Sequence, residues 1–212
     1  MMRTAIAILG VFVCAAPVAA QVCLGGPSFA ASPVHVGLVF AGDDTTSTIG
    51  GEVAFGGAGG EFGGFSIAGQ TIDGLNGTGV ALGAFGGQDY ALGATRRTAV
   101  CPIASVAYQS GPDLDPIQIT GIDFGGGFNV GYVGFDNARG LRIIPTGGAS
   151  IRRGRVTASL DDLSESVSDM YGLVAIGVGI VFPHAFLIPT IVVPVSLGDS
   201  DPIFQFRAGF SF

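Results

Sequence analysis

The last ten residues, 203–212, constrain the fold of this chain most, because large apolar and polar side chains alternate along them. The apolar positions are Phe204, Phe206, Ala208, Phe210 and Phe212. The positions between them hold Gln205, Arg207, Gly209 and Ser211. A period of two places these sets on opposite faces of a β-strand. In water, four Phe on one face need a protein core, whereas in a bilayer that face meets lipid while the polar face lines a lumen.

A second segment, 171–197, shows the same period without any polar face. One side holds Val174, Ile176, Val178, Ile180 and Phe182. The other side holds Leu173, Ala175, Gly177, Gly179 and Val181. A soluble sandwich strand has polar residues facing out, and that set is missing here. A helical hairpin is disfavoured because the segment contains three prolines, each costing about 3 kcal/mol in a helix interior.

The composition supports a protein that crosses the membrane with β-strands. Gly accounts for 37 of the 212 residues, hydrophobic residues for 48% and charged residues for only 12%, against about 25% charged in an ordinary soluble domain. The mean hydropathy of +0.59 is the opposite of the disordered signature. The formal net charge is −7 and the chain contains no Lys, so a basic surface for nucleic acid is not expected.

Residues 1–20 are predicted to be a cleavable signal peptide. Arg3 begins a short apolar stretch, residues 4–13, and Ala20 ends a small-residue cleavage site. The apolar stretch is too short to cross a bilayer as a helix. A lipoprotein anchor is not expected, because neither Cys14 nor Cys23 follows a small residue. We therefore expect a periplasmic segment at residues 21–32 and one further domain at residues 33–212.

Turn signals divide residues 33–212 into about ten strands. Their ranges are 33–42, 49–57, 61–71, 77–91, 98–109, 117–134, 141–158, 168–182, 184–196 and 203–212. In lipid an open sheet leaves edge N–H and C=O groups unpaired, so the predicted fold is all-β, a closed antiparallel up-and-down transmembrane barrel. Eight or twelve strands are alternatives; the twelve-strand version breaks two long segments at Gly125-Gly126-Gly127 and Gly147-Gly148.

The connections between these strands form two alternating charge classes. The acidic class contains Asp43, Asp44, Asp73, Asp113, Asp115, Asp161, Asp162, Glu165, Asp169, Asp199 and Asp201 and no Arg. The other class contains Arg96, Arg97 and Arg139 with one acid, Asp136. In an even-stranded barrel every other connection lies on the same side of the membrane, so we expect the acidic loops outside and both termini in the periplasm.

With its signal, its alternating strands over 33–212 and its terminal Phe, the chain resembles the small outer-membrane β-barrel proteins of the OmpA/OmpX-like superfamily. That resemblance implies a location in the bacterial outer membrane. It also implies that Phe204, Phe206, Ala208, Phe210 and Phe212 form a sorting signal for the barrel-assembly machinery. The implied partners are this machinery and outer-membrane lipid; no surface partner is identified.

Two cysteines remain after signal removal, Cys23 and Cys101. An even pair in an exported chain favours a disulfide, with two buried thiols as the alternative. Cys23 precedes the first strand, and Cys101 follows a proposed periplasmic turn. A bridge between them would hold residues 21–32 against or within the periplasmic mouth.

Charged residues within strands are expected to face the lumen, because a charge facing lipid at the midplane costs about 2 to 4 kcal/mol. Glu52, Arg142 and Arg207 are the predicted lumen charges. Arg152 and Arg153 are adjacent and cannot share a face, so one of them is expected at the outer rim.

No catalytic, cofactor or metal site is predicted. Only His35 and His184 could act as ordinary general bases, and both fall on the proposed periplasmic side, where a structural role is favoured. The acidic run from Asp161 to Asp169 lacks the Gly and the spacing of an EF-hand loop. The glycine strings lack the Lys of a phosphate-binding loop.

Three functions then remain open. We favour a non-enzymatic structural or surface-interaction protein with a filled or narrow lumen, since barrels of eight to ten strands are largely filled by side chains. The alternative is a channel for small solutes or apolar ligands. An outer-membrane enzyme is the third and least supported.

Overall fold

The chain folds as a closed antiparallel β-barrel of ten strands in up-and-down order. The structure is a computed structural model, and it describes residues 22–74, 77–111, 117–160, 163–195 and 201–212. The strands are β1 (Val34–Gly42), β2 (Thr46–Gly56), β3 (Glu61–Ile72), β4 (Gly79–Gln88), β5 (Tyr90–Leu92), β6 (Thr98–Ser110), β7 (Ile117–Tyr132), β8 (Phe135–Asp136), β9 (Arg142–Leu160), β10 (Leu163–Val181), β11 (Ala185–Pro194) and β12 (Ile203–Ser211).

Two of these twelve elements are short extensions of the wall. β5 pairs only with β6, and β8 pairs with β9. The other ten close on themselves because β1 pairs with β12, with His35 opposite Ser211, and β9 pairs with β10. Closure leaves no strand of the ring with an open edge, as a sheet in lipid requires.

The predicted strand count of ten is confirmed, and the alternatives of eight and twelve are wrong. Gly125, Gly126 and Gly127 lie inside β7, and Gly147 and Gly148 lie inside β9. Both strands are paired with both neighbours through these glycines. Ladder hydrogen bonds use backbone groups, so missing side chains do not interrupt the strands.

One boundary differs from the sequence expectation in a way that affects the acidic class. β10 begins at Leu163 instead of 168, because its ladder with β9 continues up to the pair Leu163 and Leu160. Glu165 and Asp169 are therefore strand residues and not loop residues. Five of the expected acidic loop residues lie outside the described residues: Asp113, Asp115, Asp161, Asp162 and Asp199.

The barrel has two distinct ends. We call the end where β1 begins and β12 ends the terminal end; it also carries the connection after β2 and the connection after β10. The opposite end, with the connections after β1, β3, β9 and β11, is the loop end. β9 and β10 have 19 residues each, against 9 in β1 and in β12. One side of the wall is therefore built from much longer strands.

The buried core lies inside the barrel near the terminal end. Its members are Val22, Cys23, Phe29, Ala54, Phe62, Ala99, Cys101, Val133, Ile144, Val181, Phe186 and Ile188. Three of them, Val22, Cys23 and Phe29, precede the first strand. Within the described residues, no helix has the length and hydropathy needed to cross a membrane.

Candidate functional site

The lumen is closed near the terminal end by residues 22–32, which we call the plug. A single 3-10 turn at Val22–Leu24 packs against β6, β7 and β9. The side chains of Val22 and Cys23 are fully buried there. The chain upstream of the first strand therefore fills part of the barrel interior.

A disulfide joins the plug to the wall. Cys23 is bonded to Cys101 of β6, with the two Cα atoms 5.9 Å apart and 78 residues of separation along the chain. The bridge expected from the two remaining cysteines is thus present in the structure. It lies in the terminal half of the lumen, so it holds the plug inside the barrel mouth.

Two inward-facing glycines give the plug backbone its room. A Cβ on Gly131 of β7 would meet the carbonyl oxygen of Val22, and a Cβ on Gly179 of β10 would meet that of Gly25. Any larger residue at either position would displace the plug. The high Gly content therefore has a specific use at these two positions.

An aromatic layer completes the contact between the plug and the wall. The ring of Phe29 stacks on His35 at a centroid distance of 4.2 Å and lies 6.4 Å from Phe62. His35 also approaches Phe186 at 5.8 Å. His35 is 5% exposed and is enclosed by apolar rings, which is the structural role expected for it.

Two of the three predicted lumen charges meet above the plug. Arg207 Nη1 donates to Glu52 Oε1 at 3.4 Å, and Arg207 Nη2 donates to the carbonyl oxygen of Leu24 at 3.1 Å. Both charged side chains are mostly buried, at 19% and 13% exposure. Arg207 therefore links the C-terminal strand to both β2 and the plug.

The third predicted lumen charge, Arg142, does not join this pair. It is the first residue of β9 at the terminal rim, where its register partners are Asp136 of β8 and Val181 of β10. Among the described residues it forms no ion pair. Its position at the strand end explains this, since the interior cluster of charges lies deeper in the barrel.

A chamber of about 380 Å³ lies between the plug and the loop end. Leu24, Phe85 and Ile103 line the chamber beside polar residues. The polar residues are Glu52, Ser66, Ser105, Asn129, Thr146, Arg152, Thr190, Gln205 and Arg207. The plug therefore closes a lumen that is polar above it.

A hydrogen-bonded cluster of three side chains lies on the loop-end side of this chamber. Arg152 Nε of β9 donates to Asp123 Oδ1 of β7 at 2.6 Å, and the Tyr171 hydroxyl of β10 donates to Asp123 Oδ2 at 2.6 Å. Arg152 Nη2 also lies 3.5 Å from Ser105 Oγ. Sequence reasoning separated Arg152 from Arg153 but missed this cluster. The register of the strands is the information that was missing. Asp123 is paired with Gly154, and Gly154 shares the inward face of β9 with Arg152, two residues away.

Beyond the cluster the lumen opens into a second cavity of about 450 Å³, which we call the cup. Asp123, Arg152 and Tyr171 line the cup, together with Val156, Val167 and Asp169 from the long β9 and β10 hairpin. Arg152 lines both the cup and the chamber. Along this side of the interior, the cup, the charged cluster, the chamber and the plug therefore follow one another.

The outer face of the barrel is apolar around its whole circumference. Each of the ten ring strands has a large, exposed apolar side chain: Val36, Ile49, Phe65, Leu82, Val106, Phe124, Ile151, Ile176, Ile191 and Phe204. Phe210 and Phe212, two members of the expected sorting signal, are 61% and 69% exposed. The bulky face of the terminal strand therefore points outward, as its alternation indicated.

Asp43 organises the short connection between β1 and β2 at the loop end. Its Oδ1 accepts hydrogen bonds from the backbone N–H groups of Thr45 and Thr46, each at 2.8 Å. The bond from the Thr45 N–H lowers the pKa of the Asp43 carboxyl below its usual value. This acid therefore has a local structural task in addition to its charge.

Neither the models of known protein families nor the curated protein sequences gave a match to this chain. Among solved structures, the chain is similar to Ail, the attachment invasion locus protein of Yersinia pestis, with 14% identity, a TM-score of 0.44, and coverage of 85% of this chain and 99% of that chain. It is also similar to the N-terminal β-barrel domain of Pseudomonas aeruginosa OprF, with 11% identity, a TM-score of 0.41, and coverage of 85% and 98%. The closed sheet of ten strands in this chain itself confirms the barrel fold that was predicted from its alternating strands.

Proposed function

We propose that this chain is a bacterial outer-membrane β-barrel protein with a plugged lumen and a structural or surface-interaction role. The observation that carries the proposal is the apolar outer face shared by all ten ring strands. Soluble monomers rarely expose contiguous apolar patches larger than a few hundred Å². A closed barrel with a polar interior and such an exterior is suited to lipid.

The filled interior favours an interaction role over transport of large solutes. The plug, its disulfide and the Arg207 contacts occupy the terminal half of the lumen. Wide aqueous channels are found in barrels of about sixteen strands or more. The alternative is a path for small solutes, and it is favoured by the chamber and the cup, which follow one another along the lumen.

The orientation we propose places the terminal end in the periplasm and the loop end outside. It rests on the acidic character of the loop-end connections and on the long β9 and β10 strands there. We infer that the tip of the long β9 and β10 hairpin takes the place of the long extracellular loops that bacterial barrels carry on their outer side. The proposed biogenesis partner is the barrel-assembly machinery, which would bind the outward Phe face of β12.

We also propose that the chain is not an enzyme. His35 is enclosed by aromatic rings, and His184 lies in the short connection after β10. Neither has a nucleophile or a carboxylate bonded to it among the described hydrogen bonds. A general base must lie within hydrogen-bond reach of the group that it activates.

Gel migration tests the membrane barrel. The protein is extracted from the envelope in detergent and compared before and after boiling; a folded barrel is expected to run at a different position from the boiled chain. Recovery in the soluble fraction, with no effect of boiling, would contradict the proposal.

Bilayer recording then separates the two roles. The reconstituted wild-type protein is expected to give no stable conductance steps at moderate salt, because the plug closes the terminal end. Reproducible steps from the oxidised protein would favour the channel instead.

Epitope tags test the orientation. A short tag inserted after Asp44, at the loop end, is expected to bind antibody on intact cells. The same tag after Gly59, at the terminal end, serves as the control and is expected to bind only after the outer membrane is permeabilised. The reverse pattern would overturn the orientation.

A further inference from the structure

Three charged side chains line the chamber, and their ion pairs differ in where the carboxylate lies. Glu52, Arg152 and Arg207 line it, which gives one negative and two positive charges. Glu52 is paired with Arg207. The carboxylate that pairs with Arg152 belongs to Asp123, which lines the cup and not the chamber. Both arginines are thus charge-paired, and Arg152 differs in that its partner carboxylate lies outside the chamber.

The guanidinium of Arg152 is oriented with one edge toward each cavity. Its Nε edge donates to Asp123 on the cup side. Its Nη2 atom lies 3.5 Å from Ser105 Oγ, and Ser105 lines the chamber only. Among the described residues no acceptor bonds to Nη1. Tyr171 donates to the second oxygen of Asp123 and so fixes the carboxylate that holds the guanidinium.

We propose that the chamber binds a small organic anion, with its carboxylate on the Nη edge of Arg152 and its apolar part on the floor above the plug. The planar fork of Arg suits a carboxylate, which accepts two parallel N–H bonds. Leu24, Phe85 and Ile103 supply the apolar floor. Asn129 and Thr146 supply neutral hydrogen-bonding groups on the wall.

The size of the chamber and its access agree with this class of ligand. A volume of about 380 Å³ lies at the low end of the range of about 300 to 1,000 Å³ found for small-molecule sites. The cup lies directly beyond Arg152, so a ligand enters from the loop end and stops at the plug. Asp169 is the acidic group of β10 that lines the cup; it does not line the chamber.

Isothermal titration of the detergent-solubilised, oxidised protein tests the ligand class with three probes of the same shape. Benzoate is expected to bind, benzamide to bind at least tenfold more weakly, and benzylamine to give no saturable heat. Inorganic phosphate is the fourth probe, and weaker binding than benzoate is expected because it lacks an apolar part. Equal binding of benzoate and benzamide, or no benzoate binding, would overturn the proposal.

Two adjacent arginines provide a matched pair of variants. R152Q is expected to weaken benzoate binding at least tenfold. R153Q makes the same change in charge one residue away, on the outward face, and is expected to leave binding within twofold. An equal loss in both variants would show a general effect of charge and would contradict a site at Arg152.

D123N separates ligand binding from a purely structural role of Arg152. It removes the competing carboxylate but keeps the guanidinium, so benzoate is expected to bind as tightly as to wild type or more tightly. If Arg152 served only to hold Asp123, then D123N and R152Q would weaken binding alike. The double variant R152Q/D123N leaves no unpaired charge, so it guards against misfolding of R152Q. It is expected to fold, by gel migration, and still to lack binding.

Discussion

The two halves of the lumen are built in opposite ways. In the terminal half, inward side chains such as Phe62, Ile144 and Phe186 are apolar and pack on the plug. In the loop half, inward side chains such as Ser105, Arg152 and Gln205 are polar and line open space. The outer face does not change between the halves. The inside of this barrel is therefore apolar only where the plug covers it, because uncovered apolar surface there would face water.

Removal of the disulfide is expected to have the largest effect on stability, and it acts on the plugged half of the lumen. C23S/C101S is expected to lower the free energy of unfolding by about 4 kcal/mol on the chain-entropy model, since a long loop is no longer closed in the unfolded chain. The measurement is the urea midpoint of the gel-migration shift. Wild type in reductant should match the variant, while the variant should not respond to reductant. Equal midpoints for the oxidised wild type and the variant would show that the bridge does not stabilise the plugged half.

Truncation of Phe29, the aromatic residue that anchors the plug, is expected to have the second largest effect on stability. F29A is expected to cost about 3 kcal/mol, as for other buried Phe side chains, because the layer with His35 and Phe62 loses its centre. F65A is the control; Phe65 is 61% exposed on the outer face, where detergent replaces its contacts. The two variants are compared by urea denaturation. A larger decrease in the free energy of unfolding in F65A than in F29A would contradict the interpretation of the plug as part of the core.

Removing the carboxylate from each of the two ion pairs tests whether the two halves of the lumen are independent. E52Q is expected to cost about 2 kcal/mol, typical of a hydrogen bond to a charged group, and to speed amide exchange in residues 22–32, because Arg207 also holds Leu24. D123N breaks the pair in the loop half and is expected to leave plug exchange unchanged. Hydrogen exchange read by mass spectrometry measures both. Faster plug exchange in D123N would mean that the two halves are coupled.

The smallest expected effect concerns pH at the loop end. The pKa of Asp43 is lowered in the folded chain, so its contribution to stability is present above its unfolded pKa of about 3.9. That contribution is lost as the pH falls through the lower folded pKa. Carbon-detected NMR of the Asp43 carboxyl should give a midpoint below the unfolded value. D43N keeps an acceptor oxygen for Thr45, and the turn in this variant should not respond to acid in this range.

Strand parity explains why so much of the barrel could be predicted. A period of two, with apolar residues on one face, determines which side chains of β12 meet lipid, as Phe204 and Phe210 do. The same rule assigned Arg207 and Glu52 to the interior. It could not exclude twelve strands, because glycine strings such as 125–127 are compatible with a turn or with a strand until their ladder partners are known.

By itself, then, the sequence determined the class of fold, the alternation of side chains along the strands and the bulky outward face, because these depend on local period and hydropathy. Tertiary structure alone decided which inward-facing residues meet inside the barrel. Asp123, Arg152 and Tyr171 come from three strands, and Gly131 and Gly179 meet plug residues more than a hundred positions away. Such contacts depend on strand register and on closure of the barrel, because residues far apart in the sequence meet in the lumen only when every strand is in place.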